Sequence, residues 1–300
     1  MPGMLRERLL LGPVLILALL GVLWLDEWLY TVATPGWAAR LIGTETFPPG
    51  TIIVLIATPI AVLAAIELAG LLARVGLASS RWLSAFGAAL GIGVSCLIPE
   101  EVDAVRSVAI VSSAAIVMLL ASVVYFSRHQ SVEGVVAATG GVLLAFVYLG
   151  LTFGFLLAIR REHSAWLILW ILLTTKGCDI GAYFTGRAIG RHKLIVWLSP
   201  GKTWEGLVGG VLASALLGAV GAWALGAWLG TPIGIGAGAV MGAVFGLVGQ
   251  LGDLVASMVK RDAGAKDSSR TLPGFGGVID VVDSPLLVAP VAYWMLTLVS

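Results

Sequence analysis

Asp253, Ser257 and Lys260 stand at i, i+4 and i+7 in the apolar run GQLGDLVASMVKRD, so a helix puts all three on one face. A carboxylate inside a membrane span costs roughly 2.5–3.5 kcal/mol on insertion scales, so Asp253 needs either a function or a partner. The bland alternative is a helix-end pair in which Asp253 snorkels or meets a lysine. Farther on, LPGFGGVIDVVDS breaks the helix at Pro273, Gly274, Gly276 and Gly277 and leaves unshielded backbone amides. A restarted helix then carries Asp280 and Asp283 three apart on one face, where like charges repel. Nothing within that motif neutralises them, and a divalent cation resolves the repulsion. Mg²⁺ in particular takes one or two carboxylates with water and phosphate oxygens. The alternative is two solvated carboxylates at a membrane surface.

A second polar tract, TTKGCDIGAYFTGRAIGRHKLIVWLSPGKTWEGLVGG, sets Asp179 near Lys176, then glycines, a basic cluster and Lys202. Its GKT invites a phosphate-binding P-loop, but that motif needs glycine five positions before Gly201, where Val196 stands. Ser199 followed by Pro200 reads instead as a helix N-cap with a first-turn proline. A helix start beside Ser199, Lys202 and Thr203 still suits a phosphate. Glu67 is a lone acid in an apolar segment, as readily structural as functional.

These residues need a scaffold, and the composition says which. Of 300 residues, 59% are hydrophobic and only 12% charged, with a mean hydropathy of +1.01. Soluble domains carry about 25% charged residues. Apolar segments lie near 9–25, 50–73, 82–98, 108–126, 135–159, 165–186, 206–229, 233–259 and 285–299. They predict an all-α polytopic membrane protein with about nine transmembrane helices. The apolar core at Leu9–Leu25 is longer than the usual ~7–15 residues of a signal sequence and is read as the first retained span. With the N-terminus cytoplasmic, thirteen Lys/Arg fall on that side against Arg40, Arg106, Arg160 and Arg161 on the other. The opposite face takes acids such as Glu100, Glu101 and Asp103. Both polar tracts then face the cytoplasm, where nucleotides are found.

No soluble domain is large enough to fold apart. Residues 1–300 read as one integral membrane domain, with N-terminal helices over 1–160 and catalytic helices and loops over 161–300. Gly238, Gly242 and Gly246 recur every four residues, which suits close packing within the chain or a homodimer face. Cys96 and Cys178 lie in apolar runs, and His129, His163 and His192 are scattered, so no disulfide framework or zinc motif is indicated. A net charge of +1 gives no reason to expect nucleic acid as a partner.

Carboxylates for a metal, Lys and Arg for phosphates, and glycine-rich backbone at a membrane boundary suit phosphoryl or nucleotidyl transfer onto a lipid phosphate. The segment from Ser257 to Asp283 resembles the signature of phosphatidate cytidylyltransferases, also called CDP-diacylglycerol synthases. Ser257, Lys260, Arg261, Lys266, Asp267, Pro273, Gly274, Gly276, Gly277, Asp280 and Asp283 all fall in register. The tracts DIGAYFTGRAIGRHKL and SPGKTWEGLVGG are similar to the motifs that precede it. The resemblance covers about residues 165–300. Phe275 stands where the family has histidine, and Val281 where it has arginine.

The resemblance implies that CTP and phosphatidate give CDP-diacylglycerol and pyrophosphate, with Mg²⁺ as cofactor, in a bacterial-type inner membrane. For such a reaction we assign Asp253, Asp280 and Asp283 to the metal. Lys202, Lys260, Arg261 and Lys266 meet phosphates, and Asp267 orients a lysine or assists a second cation. Ser199, Thr203, Ser257, Gly274, Gly276 and Gly277 contact substrate, with Asp179 a weaker candidate. The competing readings are a CTP-dependent transferase for an isoprenoid-type lipid phosphate, and an inactive relative or transporter that kept the scaffold.

Overall fold

A computed structural model describes residues 2–98, 104–128 and 132–299. Glu100, Glu101, Asp103 and His129 lie outside these residues. The helices are α1 (Pro2–Tyr30), α2 (Gly36–Ile42), α3 (Thr51–Arg74), α4 (Arg81–Leu97), α5 (Ala104–Ser127), α6 (Val135–Leu144) and α7 (Thr152–Glu162). A π-helical stretch, Ala145–Leu151, joins α6 to α7. Then follow α8 (Ala165–Ile189), strands β1 (Lys193–Ile195) and β2 (Ser199–Thr203), α9 (Trp204–Leu229), α10 (Ile235–Asp262) and α11 (Val278–Thr297). Among the described residues, eight runs are long and apolar enough to cross a bilayer, with α6, the π stretch and α7 counting as one. The protein is an all-α polytopic membrane protein. Of the nine segments expected from hydropathy, only α4, at 17 residues, falls below spanning length.

The chain divides into two compact units. The first comprises Met1–Ala165 with Ser269–Val278, and the second Trp166–Ser268 with Ile279–Ser300. In the first unit, the end of α1 is tied to the start of α3. Asp26 accepts hydrogen bonds from the Gly50, Ile52 and Ile53 amides, which have no intrahelical acceptor. It also pairs with Arg160 Nε at 2.6 Å, and Arg160 reaches Glu27 at 3.2 Å. Asp26 is 2% and Arg160 4% exposed, so each charge depends on the other. Met118, Val142 and Phe146 form a buried cluster linking α5, α6 and the π stretch.

In the second unit, α9 and α10 meet through small residues. A Cβ added at Gly242 would lie 2.2 Å from the Ser214 carbonyl oxygen, so the backbones touch there. The glycine repeat at 238, 242 and 246 thus packs within the chain. Trp170 on α8 donates its indole N–H to the Gly218 carbonyl at 3.3 Å and stacks edge-on against Phe245 on α10.

One expectation about a helix start changes. Ser199 is not the N-cap of α9. It pairs with Ile195 in a β1–β2 hairpin, and Thr203 caps α9 by accepting from the Gly206 amide at 3.1 Å. The hairpin wins because Lys193 and Thr203 pair across it, which leaves Pro200 on an edge where no amide is needed. The last helix begins at Val278, ahead of the apolar segment at 285–299, so the helix that restarts after the glycines carries Asp280 and Asp283 as expected, with Asp280 in its first turn.

Candidate active site

A cavity of about 520 Å³ opens within the second unit between α8, β2, the start of α9 and α10. Ser199, Lys202 and Thr203 line it from β2, Asp179 and Arg187 from α8, and Gln250 and Asp253 from α10. The hairpin turns β2 back onto the membrane helices, which brings Lys202 Nζ to 2.7 Å from Asp253 Oδ2. Asp253 therefore does meet a lysine, yet its side chain keeps 33% exposure toward the opening. A partner and an open face together suit a charge that can exchange its partner for a ligand. On α8, Lys176 lies 3.5 Å from Asp179, and Gln250 Nε2 donates to Asp179 at 2.6 Å.

A second ionic pair joins α10 to α11. Lys260 Nζ stands 2.6 Å from Asp280 Oδ1, while Ser268 donates to Asp280 Oδ2 through its amide at 2.8 Å and its hydroxyl at 2.9 Å. A lysine from outside the 272–284 motif thus neutralises Asp280, in place of the divalent cation expected there. Twenty residues of chain separate the partners, which is why spacing within the acid pair could not reveal it. Asp283 is 3% exposed and accepts from the Ser284 amide at 2.6 Å. Lys176, Asp253 and Lys260 all act electrostatically on it. Gly252 makes this approach feasible: a Cβ there would lie 2.6 Å from the Asp283 carbonyl oxygen.

Asp253, Asp280 and Asp283 do not converge as one three-carboxylate ligand set. Among the described residues, no three Asp, Glu, His or Cys side chains stand together as a metal-holding group. Asp280 is drawn off by Lys260 and Ser268, whereas Asp253 shares its surroundings with Asp179 and Asp283.

The other expected site residues are not among those that line this cavity. Ser257 is half-buried on α10 and Arg261 is exposed, its guanidinium bonded to the Ala265 carbonyl at 3.3 Å. Lys266 and Asp267 are exposed on the following loop. Gly274, Gly276 and Gly277 belong to the first unit. There Gly274 and Gly276 adopt φ of 78° and 96°, and the Leu272 amide closes a turn onto the Gly276 carbonyl at 2.8 Å. Gln250, Tyr183 and Arg187 line the cavity without having been anticipated. Gln250 carried a signal, as a polar amide one turn before Asp253 in an apolar span. Tyr183 and Arg187 did not, since their roles come from a 2.9 Å bond between them at the cavity edge.

This geometry can be set beside known proteins. A model of the cytidylyltransferase family matches residues 32–299. The chain belongs to this family. A Synechocystis protein named phosphatidate cytidylyltransferase is 46% identical over 40% of this chain and 39% of its own length. One of that name from Bacillus subtilis is 37% identical over 54% of the chain and 59% of its own length. An uncharacterised Escherichia coli protein is 39% identical over 45% and 44%. The matches thus span about half the length of these relatives.

Proposed function

We propose that this cytidylyltransferase-family protein condenses CTP with phosphatidate to give CDP-diacylglycerol and pyrophosphate. The observation that carries this reading is the Lys202–Asp253 pair at the cavity, with Asp179 and Asp283 as charged neighbours. Relatives bearing the name phosphatidate cytidylyltransferase support it.

A lipid phosphate is already anionic near neutral pH, so its oxygen can attack the α-phosphorus of CTP without a general base. The bond to the β-phosphate breaks and pyrophosphate leaves with the electron pair. The protein's task is to bring two polyanions together in line and to offset their charge. Lys202 turns from Asp253 to the triphosphate, and Arg187 lies on the same cavity wall. Lys260, held by Asp280, contributes positive potential and fixes α11 against α10. Exposed Arg261 and Lys266 draw anions toward the site, and Asp267 lies beside Lys266.

Mg²⁺ fits this donor set. It prefers hard oxygen ligands and needs only one or two carboxylates when phosphates supply the rest. Asp253 and Asp283 would hold it, and when bound it supplies charge neutralisation on the triphosphate and the leaving pyrophosphate. Asp280 becomes a positioning residue in this reading. The site faces the cytoplasm of a bacterial inner membrane, in keeping with the Lys/Arg distribution.

The test uses purified protein in lipid with labelled CTP, Mg²⁺ and a phosphatidate or an isoprenoid phosphate. Liponucleotide from phosphatidate is expected. Product only from the isoprenoid phosphate would move the substrate, and CTP binding with no product from either would mark an inactive relative.

A further inference from the structure

Glu67 lies well inside α3 and is only 8% exposed. A carboxylate at such a place is expensive unless its lone pairs meet donors. One oxygen, Oε1, receives two of them: the Ser269 hydroxyl at 2.6 Å and the Val278 amide at 2.9 Å. These are the first and last residues of the Ser269–Val278 stretch that joins the first unit. Within the stretch, the Thr271 amide donates to Ser269 Oγ at 3.0 Å. Because the single Ser269 proton goes to Glu67, the 2.6 Å contact between the two hydroxyls must be donated by Thr271. Leu272 and Gly276 bond each other's backbone in both directions, at 2.8 and 3.0 Å. The stretch is therefore an internally bonded turn whose two ends meet on one buried oxygen.

Val278 is also the first residue of α11, where an amide lacks an intrahelical acceptor. Glu67 supplies that acceptor from 211 residues away. We propose that Glu67 is a positioning residue: it clasps both ends of the Ser269–Val278 turn and thereby fixes where α11 begins. Asp280 and Asp283 follow on that helix, so an unpinned start lets both carboxylates shift along and around its axis. The effect on turnover rests on the cytidylyltransferase reading; the clasp does not.

The proposal is tested with full-length protein in lipid nanodiscs by hydrogen exchange, thermal unfolding and, where product forms, steady-state kinetics. Glu67→Ala is expected to speed amide exchange in 271–278 about tenfold, as loss of buried bonds to a charged acceptor allows. It should lower kcat with the KM for CTP changed less than about twofold, because the Lys202 cavity is untouched. Glu67→Gln keeps a carbonyl oxygen for both donors and should restore exchange and kcat toward the parent. Glu67→Asp, one methylene shorter, should not. Unchanged exchange in Glu67→Ala would overturn the clasp. So would acceleration spread evenly along the chain with a lowered Tm, which marks general stability alone. An inactive parent that shows the local exchange pattern would retire the functional reading and support the clasp.

Discussion

At the scale of residues, the site is defined by which carboxylate each lysine holds. Lys202 holds a half-open acid and Lys260 a closed one, so their variants should fail differently. Lys202→Ala is expected to lower kcat/KM by about a hundredfold, the usual size for removing a charge-stabilising donor, with little change in thermal stability. Asp280→Asn leaves Lys260 buried opposite a neutral amide. Breaking such a pair costs about 3–5 kcal/mol, so a clear fall in detergent-solubilised Tm should accompany any loss of activity. Asp253→Asn should instead raise the Mg²⁺ concentration needed for half-maximal rate while Tm stays near that of the parent. A parent-like Mg²⁺ titration in that variant would remove Asp253 from the metal site. The sequence marked all four of these residues, since polar types in apolar runs stand out. Their pairing was hidden, because partners 20 and 51 residues apart leave no local spacing to detect.

At the scale of elements, two helix starts and one helix pair decide whether those residues meet. Thr203, and not Ser199, caps α9. Thr203→Ala should therefore cost about 1 kcal/mol. Ser199→Ala should change stability by less than about 0.5 kcal/mol. Equal losses would restore Ser199 as the cap. The sequence misled here because Ser-Pro before an apolar run is a good local cap signal, and a hairpin of three and five residues is too short to announce itself. Packing of α9 on α10 was more legible, since glycine at every fourth position favours close backbones. Gly242→Val forces a methyl-bearing Cβ into the Ser214 carbonyl. Overpacking of this kind costs about 1–3 kcal/mol, and Tm is the measurement that checks it.

At the scale of the whole molecule, orientation governs whether the site can reach soluble nucleotide. With the cytoplasmic side assigned from Lys and Arg, Ala265→Cys in a Cys96→Ser background should react with an impermeant maleimide only after cells are permeabilised. Labelling in intact cells would invert the topology. Hydropathy, segment lengths and the polar tracts are properties of short stretches, and the bilayer reads them directly, so the sequence alone determined an all-α membrane protein and where its polar residues gather. Tertiary structure alone decided that Lys260 claims Asp280, that Lys202 meets Asp253, and that Glu67 holds the turn before α11. The physical reason is that each choice is a competition among several polar groups for one partner. Distance in space settles it, and distance along the chain does not encode that.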